Sequence, residues 1–199
     1  MRNSIVLAAI AVALAVVALP KELEPEVRAG TALRMGVPDL VAGSDLVVEA
    51  RVLEARAEEV DGGLIETIYT LAADRVFWGD GYAGEVREVR IPGGVLPDGR
   101  GMLLSGVSRL DVGEDALLFL SEEGPRSLRM PVGLAQGRYR VETRLDGTRV
   151  VTRSGGGIGL VNATTGELED ADGLYVRDYA DFVAEVEAAV SVRTAGGDL

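Results

Sequence analysis

Apolar and polar positions along the chain fall into short runs that change period, and most of the runs have the period of strands. Val37–Gly43 predicts one helical turn or two, with Pro38 suited to a first helical position and Gly43 to a stop. Asp45–Ala57 alternates, Leu46, Val48, Ala50 and Val52 taking one side and Glu49 and Arg51 the other, which predicts a strand. Asp61-Gly62-Gly63 turns the chain into a second long strand, Leu64–Trp78, with Ile65, Tyr69, Leu71 and Ala73 on one face. The apolar set of that strand changes parity at Val76, the mark of a β-bulge or bend.

A third strand, Glu85–Ile91, stops at Pro92-Gly93-Gly94, and the Gly- and Pro-rich stretch to Gly101 reads as loop. Ala116–Leu120 is a continuous apolar run too short for a helix, so it reads as a central strand. Residues 138–145 alternate, Asp146-Gly147 follows, and Thr148–Arg153 completes a hairpin with an expected two-residue loop. The last element is a helix over 178–192. Tyr179, Phe182, Val183, Val186, Ala189 and Val190 share one face, and Asp178 is placed to cap it. The fold class expected is mainly β: a small barrel of OB-like or netrin-like type, with a β-sandwich as second choice, closed by the C-terminal amphipathic helix.

The start of the chain has a different character. Arg2 gives a short positive segment, Ile5–Leu19 is unbroken apolar sequence, and Pro20-Lys21 ends it. Fifteen residues suit the core of a signal peptide and fall short of the roughly 20 needed to span a bilayer. Val16-Val17-Ala18 is a usable small-residue cleavage site. The organisation expected is therefore a leader helix over 1–19 (signal peptide or N-terminal anchor), a linker over 20–36, a single β-rich domain over 37–192 and a tail over 193–199. Export to the periplasm or beyond is implied, with membrane contact only through residues 5–19 where the leader is retained.

Composition narrows the chemistry. The chain of 199 residues is 47% apolar and 26% charged, a globular balance, and aromatics at 5% leave Val, Leu, Ile and Ala to fill the core. Cys and His are both absent, which excludes disulfides, thiol nucleophiles, Ser-His-Asp triads and histidine metal sites. A formal net charge of −12 argues against nucleic-acid binding, since phosphate is drawn to surplus cations. No cofactor is expected.

Some of these phrases, taken together, resemble an uncharacterised group of exported bacterial β-rich proteins: residues 44–52, Ile91-Pro92-Gly93-Gly94, residues 113–120 and residues 133–141. More remotely, Ser44-Asp45-Leu46-Val47-Val48 opening a strand before a long second strand is similar to the netrin-like barrel of the tissue inhibitors of metalloproteinases. That resemblance implies an OB-type fold. Inhibition in that family runs through an N-terminal cysteine, which this chain lacks, so the mechanism does not carry over.

Candidate sites are few. Gly155-Gly156-Gly157-Ile158-Gly159 lacks the Lys-Ser/Thr of a phosphate-binding loop. Glu167, Glu169, Asp170 and Asp172 form an acidic turn with oxygen ligands suited to Ca²⁺ but without EF-hand spacing. Asn162-Ala163-Thr164 matches a glycosylation sequon. Trp78 beside Phe77 reads as a core plug. The sharpest candidate is the hairpin. A two-residue Asp146-Gly147 loop sets Arg144 opposite Arg149 and Arg140 opposite Arg153, so that Arg138, Arg140, Arg144, Arg149 and Arg153 line one face with Glu142. Like charges opposed in this way call for neutralisation by neighbouring acids or by an anionic partner. The function expected is a non-catalytic binding or interaction module of the bacterial envelope, with an envelope hydrolase using carboxylates, or a structural envelope component, as alternatives.

Overall fold

A computed structural model describes residues 30–60, 62–107, 109–169 and 174–196. The leader, most of the linker, and Asp170 and Asp172 of the acidic turn lie outside the described residues. Among the described residues no helix is long and apolar enough to cross a membrane.

The fold is mainly β. Its centre is an open seven-stranded sheet in which β2 (Leu46–Val60), β3 (Leu64–Trp78) and β4 (Val86–Pro92) form one wing and β7 (Asp115–Leu120) stands in the middle. The other wing holds β8 (Arg138–Thr143), β9 (Arg149–Arg153) and β12 (Tyr175–Asp178), and the order across the sheet is β12-β9-β8-β7-β2-β3-β4. All of its pairings are antiparallel. β7 is buried on both faces, which is why it reads as an unbroken apolar run and not as an alternation.

Two smaller sheets flank this one. β1 (Thr31–Leu33) runs parallel to β10 (Gly159–Val161), which pairs with β11 (Leu168–Glu169). The expected linker therefore ends in a strand, and the stretch after Pro92 is not loop throughout: β5 (Gly94–Val95) pairs with β6 (Gly101–Met102).

Bulges let the long hairpin bend. The β2–β3 register shifts at Leu53, Asp74 and Phe77, each an extra residue on its strand. The shift at Phe77 turns Val76 toward one core, and Phe77 and Trp78 toward the other, so the parity change seen in the sequence is a bulge. At the end of β3, Gly79 takes φ +90°, and a Cβ there would collide with the Asp45 carbonyl oxygen.

The sheet carries a core on each face. On one, Leu46, Val48, Ala50 and Val52 meet Tyr69, Leu71, Val89, Ile91 and Leu118, and Leu110 closes the end, its N–H donating to the Tyr69 hydroxyl. On the other, Val47, Leu117, Phe119, Tyr139 and Val151 pack beneath two helices, α1 (Val37–Ala42) and α2 (Tyr179–Gly196). Phe182 of α2 is fully buried, edge-on to Phe119 and 4.5 Å from the Tyr139 ring centre. Asp178 caps α2 as expected, its Oδ1 accepting from the N–H groups of Ala180 and Asp181.

Candidate functional site

The Asp146-Gly147 signal makes a hairpin, but of a different register. Gly147 N–H donates to the Arg144 carbonyl and Arg144 N–H to the Thr148 carbonyl, both at 2.9 Å, with Gly147 at φ +84°. This is a three-residue loop with glycine in the left-handed position, not the tight two-residue turn. One extra loop residue slides β9 by one place: Thr143 faces Arg149, Val141 faces Val151 and Arg140 faces Thr152. A slip of one moves every β9 side chain to the opposite face. The five-arginine strip is thereby split, with Arg138 and Arg140 on one face, Arg149 and Arg153 on the other and Arg144 in the loop.

Each strand arginine has a partner within the fold, and Arg138 and Arg140 share one. Arg138 Nη2 donates to both oxygens of Glu114 at 2.7 and 2.8 Å, and Arg140 Nη2 donates to Glu114 Oε2 at 2.6 Å and also to Asp111. The Glu114 side chain is 5% exposed and Arg138 12%, so this is a desolvated cluster. It is built by the turn before β7, where Gly113 N–H donates to the Val52 carbonyl and Glu114 N–H to that of Asp111.

On the helix side of the sheet, Glu49 is buried and accepts from Arg149 Nη2 at 2.7 Å and from the Tyr179 hydroxyl at 2.6 Å. Arg153 lies between the rings of Tyr139 and Tyr175 and donates to the Tyr139 hydroxyl at 2.9 Å. Burial pushes the Tyr139 hydroxyl up to about 12, against the pull of Arg153. Of the five, Arg144 and Arg153 are without an ion-pair partner among the described residues, Arg153 being held by tyrosines instead.

Other candidates resolve in similar ways. Glu169 is taken by Arg34 and by Asn162 Nδ2, while Glu167 contributes its backbone N–H to Thr165 Oγ1. The Asn162 Oδ1 of the sequon accepts from Thr164 and Thr165. Among the described residues no group of three or more Asp or Glu is placed to hold a metal ion. Gly156 and Gly157 form a turn between β9 and β10 with no helix following, which excludes the phosphate-loop geometry. Trp78 is half-buried at the edge of the second core, with the Arg193 guanidinium 4.2 Å from its ring centre.

Three acids that the sequence does not single out as candidates are buried: Glu49, Glu114 and Glu66. Glu66 is paired with Arg90 and lies 3.7 Å from Arg126 Nε, and Arg126 and Ser127 both hold left-handed backbone beside it. The nearest thing to a sequence signal, for Glu49 and Glu66, is their position in strands beside arginine-bearing neighbours, while Glu114 sits in the turn before β7.

The feature that sequence reasoning missed is a groove between the two helices. Pro38, Val41 and Ala42 of α1 face Ala188, Ala189 and Val192 of α2 across an apolar cavity of about 590 Å³. Val192 is 73% exposed at its lip. Arg193 ties the floor together, donating to the carbonyls of Val41 and Ser44. A separate polar cavity of about 280 Å³ is lined by Asp45, Asp80, Glu85, Glu88 and Glu123 with Arg87 and Arg129. No protein-family model, curated protein or solved structure matches this chain.

Proposed function

We propose that this chain is an exported, non-catalytic binding module of the bacterial cell envelope, and that the α1–α2 groove is its binding site. The observation that carries the reading is the groove itself: concave, lined mostly by apolar side chains with Asp39 and Glu185 among them, and held in shape by Arg193. Ligand sites are typically such largely pre-formed apolar concavities with a few polar groups. The apolar run at 5–19 supports export, and the lack of cysteine suits a bacterial envelope protein that folds without disulfides.

The hairpin supports a ligand less well. Carboxylates already hold Arg138, Arg140 and Arg149, which among the described residues keeps only Arg144 and the tyrosine-flanked Arg153 for an anionic partner.

We also propose that the fold is a small barrel of OB-like type. Supporting this, Leu128, beyond β7, forms a parallel bridge to Arg90 of β4, and Arg129 N–H donates to the Arg90 carbonyl at 2.8 Å. With Pro131 bridged back to Leu120, the order β2-β3-β4, residues 128–131, β7 and again β2 is that of a five-stranded OB barrel.

The test is to express the full chain in a bacterium with a photo-crosslinking residue at Val192, and at Leu145 as control. Recovery in the envelope fraction with discrete crosslinked species from Val192 alone is expected. A chain confined to the cytosol, or crosslinking indifferent to position, would overturn the reading.

A further inference from the structure

We infer that the groove takes a cationic polypeptide segment that carries its apolar side chains at one end and its basic ones at the other. This rests on the binding-module reading and names the partner. The apolar cavity does not end at α1. It shares Ala42 and Arg193 with a polar hollow lined also by Ser44, Ser121 and Glu122, and that hollow shares Asp45 with the acidic cavity beyond. Apolar groove, hollow and acidic cavity thus adjoin in series through shared lining residues, mostly apolar at the α1–α2 end, where Asp39 and Glu185 also line the wall, and acidic at the other.

Charge decides the occupant. At the acidic end Asp45, Asp80, Glu85, Glu88 and Glu123 stand against Arg87 and Arg129 and against Arg56, which pairs with Glu88 from outside the lining, five against three, a net of −2. Both lining arginines are consumed within the fold. Arg87 donates to Glu85 and to the Asp80 carbonyl, and Arg129 donates to Asp45, Glu123 and the Ser121 carbonyl. Neither is left for an incoming anion, while the side chains of Asp45 and Glu123 are 55% and 54% exposed to solvent. Glu122 adds a further exposed carboxylate in the hollow. In a chain of net charge −12 the wider field has the same sign. Anionic lipid, nucleic acid and acidic protein are repelled from such a surface, and lysine- or arginine-bearing chain is steered to it. A polyamine satisfies the acidic end alone. An uncharged apolar helix satisfies the α1–α2 end alone. A segment of mixed character fills both.

The test uses the full chain and three synthetic peptides of about a dozen residues: one with a leucine-alanine half and a lysine-arginine half, one all basic, and one in which glutamate replaces the basic half. Binding is followed by fluorescence anisotropy. The mixed peptide is expected to bind most tightly. Val192→Asp, and separately the pair Asp80→Lys with Glu122→Lys, are each expected to weaken it about tenfold or more. Raising salt from about 50 to about 300 mM should weaken binding to the unmodified chain and leave the Asp80→Lys/Glu122→Lys chain nearly indifferent. Melting curves accompany each variant, and all three substituted residues are on the surface. Tighter binding of the glutamate peptide, equal binding of the all-basic peptide or spermidine with no effect of Val192→Asp, or no binding of the mixed peptide would overturn the inference. Crosslinking from Val192 in the envelope without peptide binding would overturn this partner and leave the binding-module reading standing. A chain confined to the cytosol that still binds the mixed peptide tightly and through the groove would overturn the envelope reading and leave this partner standing.

Discussion

The guanidinium of Arg149 lies 3.7 Å from the ring centre of Tyr179, and the two side chains together hold the buried carboxylate of Glu49. A sheet residue, a helix residue and an acid 130 positions before the helix residue are thus one unit. Tyr179→Phe removes a hydrogen bond to a charged acceptor and is expected to destabilise the fold by about 1.5–3 kcal/mol in urea melts. Arg144→Ala, in the loop, should stay within about 0.5 kcal/mol of the parent.

Glu114 is the more demanding acid. Removing it by Glu114→Ala leaves Arg138 and Arg140 facing each other at a desolvated place, and a loss of about 3–5 kcal/mol is expected. Arg140 is 37% exposed, so Arg140→Ala should lose only about 1 kcal/mol. Equal losses from the two substitutions would show that Glu114 does not depend on both arginines.

Phe182 anchors α2 to the sheet. Phe182→Ala is expected to lose about 3–5 kcal/mol, whereas Val192→Ala, on the same helix at the groove lip, should be close to neutral. Thermal melts of the two variants separate a packed helix from a detached one.

Two glycines with similar φ should respond unequally to alanine. At Gly147 an added Cβ meets nothing within 4 Å, so only the left-handed backbone is penalised, by about 1–2 kcal/mol. At Gly79 the Cβ meets the backbone of Asp45 and Leu46 as well, and the loss should be clearly larger. Equal Tm shifts would contradict the tight crossing at the end of β3.

Stability should also fall at two separate points on the pH scale. Burial, then the Asp115 and Glu49 carboxylates, hold Asp74 above its ordinary value of 3.8, against Arg51 and Arg149. The native state therefore keeps this proton more tightly than the unfolded chain, and stability declines as pH rises through the interval above 3.8. Asp74 is exposed, so screening keeps the decline below about 1 kcal/mol, and Asp74→Asn should abolish it. Tyr139 acts at the alkaline end. Unfolded, it loses its proton near 10; folded, near 12, so stability falls between those values, and the phenolate band at 295 nm should appear with unfolding.

Much of this architecture was legible locally. The limits of β3, the bulge near Val76, the buried face of α2 and its Asp178 cap all follow from period and capping. The hairpin was legible as a hairpin but not in its register, because Asp-Gly serves both a two-residue turn and the end of a three-residue loop. β1 and β11 are three and two residues long, too short for alternation to register. The burial of Glu49, Glu66 and Glu114 is not legible in the sequence, because nothing near them announces what covers that face. The groove was hidden for the same reason, since its walls come from opposite ends of the domain.

That separation also sets a timetable. Arg193 donates to the carbonyl of Val41, 152 residues earlier, and α1, six residues long, is too short to hold helical form in water by itself. At roughly 5–20 residues per second, α1 leaves the ribosome roughly 8–30 s before its partner exists. From the completion of β7 until α2 is made, the face of β2 and β7 that α2 will cover has no lid, so the second core stays open until the last helix arrives. Limited proteolysis of ribosome-bound chains stopped just before Tyr179 should find them as digestible as unfolded protein, and resistance should arrive only with the final segment.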